Sequence, residues 1–157
     1  MRLAPIEHPA GFFLKTAYAM SRKRFGKVVT PLKVVYARVP SAMRVSLAVT
    51  KFLTKGVRLE RELVYLIETY AAGMNQCGFC VDIARSMAMQ EHVDLSKLEG
   101  LANFRTDPRY SARERAALAY VEAITRDRRV DDDTFATLRE QFSDREIVEI
   151  TLINASE

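Results

Sequence analysis

The chain has 157 residues, 48% of them hydrophobic and 28% charged, with a formal net charge of +4, which suits one sizeable core and is too short for two ordinary domains. No apolar run approaches the roughly 18 residues that cross a bilayer, so the sequence argues for a soluble protein without a membrane partner. The modest positive charge lacks the basic, aromatic-interleaved face that nucleic-acid binding requires.

A single domain over residues 1–157 is expected, with a basic helical arm at residues 1–40 and a core at 41–157. The arm concentrates Lys15, Arg22, Lys23, Arg24, Lys27 and Lys33, a charge run that usually marks a solvated face. Met1 to Lys15 lacks the charged, apolar and small-residue pattern of a secretory signal; a cytoplasmic location is the expectation.

From Pro40-Ser41 the spacing predicts a helix bearing Leu47, Val49, Phe52 and Leu53, ended by Gly56. A second begins near Leu59, where Leu63, Leu66, Ile67, Tyr70 and Ala71 form a core-facing stripe and Gly73 marks the end. The cysteines open the next helix, which carries Ile83, Met87 and Ala88 and runs to about Gln90. Asp94-Leu95-Ser96 caps a short segment through Phe104, and Thr106-Asp107-Pro108 breaks the chain.

Ser111-Ala112-Arg113-Glu114 has the form of a capping box, with Ala117, Leu118, Val121 and Ile124 following at helical spacing. Asp131, Asp132 and Asp133 suit the N-terminus of a helix through Leu138. Ser143-Asp144-Arg145-Glu146 repeats the capping signature before Ile147, Val148, Ile150, Leu152 and Ile153. That pattern meets no Gly or Pro before Glu157, which leaves room for a structured continuation. Without strand alternation or repeated hairpin signals, the fold class is all-α.

Cys77-Gly78-Phe79-Cys80 holds the only cysteines. A structural zinc site needs four ligands, and neither His8 nor His92 stands at a zinc-finger spacing from the thiols; no metal and no cofactor are expected. Two readings remain. The pair is a buried, inert couple of small hydrophobes, or it does dithiol chemistry, one thiolate attacking an oxidised substrate and its neighbour closing the disulfide. A thiol at a helix N-terminus favours the second, because the helix dipole stabilises the thiolate.

The run from Arg61-Glu62-Leu63-Val64 through Met74-Asn75-Gln76-Cys77-Gly78-Phe79-Cys80-Val81-Asp82-Ile83 resembles the core of the carboxymuconolactone decarboxylase and alkylhydroperoxidase D superfamily. The likeness covers roughly Leu59 to Met89, and Phe142 to Glu149 is similar to that family's following helix. The resemblance implies an alkylhydroperoxidase D-like helical bundle assembled as a homo-oligomer, trimer or hexamer. It also implies a peroxide or disulfide substrate and a redox disulfide replenished by a dihydrolipoyl or thioredoxin-like dithiol donor. In the peroxidase branch the second cysteine attacks and the first resolves, which carries over to Cys80 and Cys77.

Where that branch has a histidine four residues after the second cysteine, this sequence has Ala84; where it has a glutamate twelve residues before the first, it has Tyr65. Glu68, one turn from Tyr65, is the candidate replacement base, and Tyr65 is a candidate hydrogen-bond donor to a thiolate or bound oxygen. Glu62 reads as structural, Arg85 as pointing to solvent or an acidic partner, and His92 as a surface residue. Asp82 would raise the Cys80 pKa if close to it. Met74, Met87 and Met89 read as core filler.

Two functions follow. One is a thiol–disulfide oxidoreductase of peroxidase type; the other is a non-catalytic helical binding protein or redox sensor on the same scaffold, favoured by Ala84 and Tyr65. The decarboxylase branch ranks below both, since it does not rely on a Cys-x-x-Cys pair.

Overall fold

Every regular element among the described residues is helical. The computed structural model describes residues 2–157, and the chain divides between Lys55 and Gly56 into two units.

In that first unit α1 spans Phe12–Phe25, with Arg22, Lys23 and Arg24 in its last turn, where cations meet the unpaired carbonyls of the helix end. Gly26 follows with φ 70°, its N–H donating to Arg22 O at 2.9 Å. A π-helical turn at Leu32–Tyr36 leads to α2, Ala42–Lys51. The local core is Leu14, Tyr18, Val28, Leu32 and Met43. The buried Tyr18 hydroxyl donates to Ile6 O at 2.7 Å, as a tyrosine in an apolar setting requires. On α2 the expected inward face is not inward: Leu47 and Val49 are exposed, as is Val45, and Met43 alone is buried.

The second unit is built around α3, Arg61–Met74, which packs against α4 (Gly78–Gln90), α5 (Leu95–Glu99), α6 (Ala112–Glu122) and α8 (Asp144–Ala155); α7 (Asp132–Gln141) lies on α6. Leu63 through Thr69, with Ala71 and Ala72, are all buried. The sequence shows a stripe, but α3 is covered nearly all round, the condition of a helix inside a core. Tyr70, placed in that stripe, is only half-buried.

Helices α6 and α8 each begin with a complete capping box, Ser111 with Glu114 and Ser143 with Glu146. The Ser143 hydroxyl and N–H, both bonding to Glu146, hold its carboxyl down at about 2. Along α8, Ile147, Ile150 and Ile153 face inward, while Val148 and Leu152 stay exposed. No helix among the described residues is long and apolar enough to cross a membrane.

Glu149 ties α8 to the entry of α3. It is only 3% exposed, and it accepts the Arg58 N–H at 2.8 Å, the Leu59 N–H at 3.3 Å and the Arg145 Nε–H at 2.9 Å. These backbone donors precede α3 and have no helical carbonyl to reach. Replacing Glu149 with Ala strands them, so urea unfolding should show a loss of about 2–3 kcal/mol, with Glu149→Gln losing less.

Candidate redox site

The way α3 ends places the cysteines. Gln76 takes a left-handed backbone, φ 56°. Its N–H donates to Gly73 O at 3.0 Å while the Cys77 N–H donates to Ala72 O at 2.9 Å. This pair of bonds is a Schellman closure. Gly73, the expected terminator, lies inside the last turn instead, and Gln76 turns the chain at a conformational cost that glycine would avoid.

Cys77 then opens the next helix. As N-cap of α4 its Sγ accepts the Cys80 N–H at 3.3 Å, and its carbonyl accepts the Val81 N–H at 3.1 Å. Cys77 and Cys80 are joined in a disulfide with Cα atoms 5.3 Å apart. Both are half-buried, with Gly78 and Phe79 exposed between them. On reduction, the Cys77 sulfur stands where the helix end and a backbone donor both favour a thiolate. No acidic residue occupies the first turn of α4 to oppose this; Asp82 is exposed beyond it. Among the described residues no three His, Cys, Asp or Glu side chains converge on a metal position.

Helices α3 and α4 run antiparallel. At one end the Arg61 Nε–H donates to Glu91 Oε2 at 2.9 Å, in the middle Tyr65 and Ala88 share one core cluster, and at the other end Cys77 reaches Ala72. Glu68 is 8% exposed. Burial first, with Glu157 and Glu91 adding and Arg61 opposing, pushes its pKa up to about 7. A carboxyl so poised holds or releases a proton near neutrality.

Tyr65 occupies a different place. Its hydroxyl accepts from Arg61 at 2.8 Å, the Arg61 guanidinium lies 4.8 Å over its ring, and burial with Glu91 nearby raises its pKa to about 12. Glu91 follows the last turn of α4, about 16.5 Å along the helix from Cys80 at 1.5 Å per residue. The cysteines and the Tyr65 hydroxyl thus sit toward opposite ends of α4.

The remaining candidates have structural partners. Glu62 pairs with Lys97, which also bonds Glu114 at 2.8 Å; Arg85 pairs with Glu99 at 2.6 Å on the surface. His92 is exposed with φ 59° and closes α4 as Gln76 closes α3, with Val93 N–H on Ala88 O at 3.0 Å. Met87 packs half-buried against the core and Met74 is half-buried, whereas Met89, expected as core filler, is exposed. The Arg61–Glu91 clamp is invisible in the sequence, because nothing local links residues on two different helices.

The chain is similar to a protein of unknown function from Agrobacterium tumefaciens described as a candidate antioxidant defence protein AhpD. The two are 32% identical over 78% of this chain and 86% of that one, with a TM-score of 0.71. It is similar to the uncharacterised protein YnjA of Escherichia coli, 29% identical over 85% of this chain and 74% of that protein. An uncharacterised peroxidase-related protein of Silicibacter shares the fold at TM-score 0.79 and 22% identity, covering 99% and 87% of the two chains. No family model matches the chain.

Between the ordinary carboxyl value of 4.5 and about 7, folded Glu68 keeps a proton that the unfolded chain has lost, so stability falls as pH rises through that window. Glu68→Gln should remove this slope. Thermal unfolding should show the variant gaining on the parent from pH 5 to pH 8, by on the order of 3 kcal/mol at most.

Proposed function

The chain belongs to the AhpD-like, carboxymuconolactone decarboxylase-type family, and from that premise we propose that it reduces peroxides or disulfides through Cys80 and Cys77. The observation that carries the reading is the Cys77–Cys80 disulfide at the N-terminus of α4, a pair in the geometry of redox chemistry.

With a peroxide, the Cys80 thiolate attacks one oxygen. The S–O bond forms, the O–O bond breaks, and the departing alkoxide takes a proton. Glu68, near half-protonation at neutral pH, supplies that proton through water. Cys80 is left as a sulfenic acid. The Cys77 thiolate then attacks the Cys80 sulfur, water leaves with a further proton, and the disulfide closes.

A dithiol donor returns the two electrons. It attacks the Cys80 sulfur and expels Cys77 as thiolate, the better leaving group because the Cys80 N–H and the helix end stabilise it. The donor's second thiol then releases Cys80. Tyr65 has a positioning role: its hydroxyl holds Arg61, whose charge opposes the rise in the Glu68 pKa. A reducing cytoplasm suits the cycle. Assembly as trimer or hexamer is supported by apolar side chains left exposed, Val45, Leu47 and Val49 on α2 and Val148 with Leu152 on α8.

Cys80→Ser should reduce dithiol-supported peroxide turnover to background. Cys77→Ser should stall as a sulfenic acid that a sulfenate-selective diketone captures on Cys80, read by peptide mass spectrometry. If peroxide leaves both thiols of the parent fully alkylatable, the reading fails. If the disulfide forms but turnover stays at background, the pair is a redox latch rather than an enzyme.

A further inference from the structure

A cleft of about 640 Å³ opens in the second unit beside the first turns of α4, bounded by Thr69, Tyr70, Gly73 and Met74 of α3, Val81 of α4, and the Leu98–Thr106 segment. Its size is that of a small-molecule site. Three features give it chemistry. Its body is apolar and aromatic: Leu98, Leu101 and Phe104 are buried, and the Tyr70 and Phe104 rings meet edge to face at 5.4 Å.

Its mouth is cationic. Arg105 and Arg126 both pair with the single carboxylate of Glu122, Arg126 at 2.7 Å, so two guanidiniums face one carboxylate and one positive charge is left over. Both arginine side chains are 62% exposed, and the Arg105 guanidinium also lies 4.9 Å over the Phe104 ring.

Deeper in, Thr69 is 6% exposed, and its hydroxyl is buried with no hydrogen-bond partner. Orphaned buried hydroxyls are rare because each forfeits the bonds it made to water. Here the residue that carries one also lines a cleft.

We propose that this cleft binds a monoanionic small molecule with an apolar, preferably aromatic body, its acid group at Arg105 and Arg126 and a second oxygen bonded to Thr69. A flat ring would lie against Phe104 and Tyr70, and the carboxylate would take the guanidinium charge that Glu122 leaves unmatched. Val81 adjoins Cys80, so the ligand would lie one residue from the dithiol. The site stands on the cleft alone and does not require the cysteines to turn over.

The test is titration calorimetry on the full chain in its disulfide form. The probes are 3-(4-hydroxyphenyl)propionate, 3-phenylpropionate lacking the hydroxyl, and 3-(4-hydroxyphenyl)propan-1-ol lacking the charge. The hydroxy acid should bind tightest, by about fivefold over the deoxy acid and about tenfold over the alcohol. Thr69→Val should erase the first preference and Arg126→Gln should reduce the second. Because Thr69→Val removes an orphaned hydroxyl at nearly constant volume, the free variant should melt no lower than the parent, which separates lost binding from lost folding. Equal binding of the three probes, no binding of any at millimolar concentration, or an unchanged hydroxyl preference in Thr69→Val each overturns the proposal.

Discussion

Helix α3 is covered on nearly every side, and that burial constrains the rest of the second unit. A helix with no wet face must be apolar almost throughout, since each polar group taken inside loses its water. From Leu63 to Ala72 the chain obeys this except at Glu68, Thr69 and two tyrosines. Tyr65 meets Arg61, and Tyr70 reaches toward Glu122; burial first, and Glu122 after it, push the Tyr70 pKa up to about 12. Glu68 and Thr69 have no such resolution, one holding a proton near neutrality and the other lacking a hydrogen bond. These adjacent, energetically costly positions are where function is best sought, because nothing in packing alone favours them.

The second constraint is the junction that follows. Cys77 uses its backbone N–H to finish α3 and its sulfur to begin α4. The backbone bond does not involve sulfur, so it remains when the disulfide is reduced. Reduction therefore frees the two thiols without dissolving the turn that presents them. A dithiol that must cycle benefits from such an arrangement, since the thiolates stay within reach of one another.

Local signals were legible in the sequence and distant ones were not. Ser111 with Glu114 and Ser143 with Glu146 announce helix starts because both partners lie within one turn. The Asp94 and Asp131 caps are readable for the same reason. The helix end at Gln76 escapes notice because it turns the chain without glycine, the usual marker, whereas α4 stops at Gln90, where the sequence reading ends it. Burial is harder still. Periodicity points Leu47 and Val49 inward, yet α2 leaves them exposed; it gives α3 a stripe where tertiary contacts cover the whole helix. At the site, the cysteine pair was plain from spacing. The burial of Glu68 and the Glu149 clasp depend on residues far away in sequence, and no window of sequence contains them.

The separation of Tyr65 from the cysteines has a chemical consequence. A group that moves a proton at Cys80 must come within a hydrogen bond or one water of it. Tyr65, held by Arg61 toward the far end of α4 with a pKa of about 12, is poorly placed and poorly tuned for that work. Glu68 is better tuned, burial pushing its pKa up to about 7. The antiparallel register that pairs Arg61 with Glu91 fixes where the Tyr65 hydroxyl falls along α4. Charge at the Arg61–Glu91 end is then felt by Glu68, Arg61 lowering its pKa and Glu91 raising it. Burial comes first and Glu157 second in raising the Glu68 pKa, and the clamp that aligns the two helices adds two smaller, opposed effects.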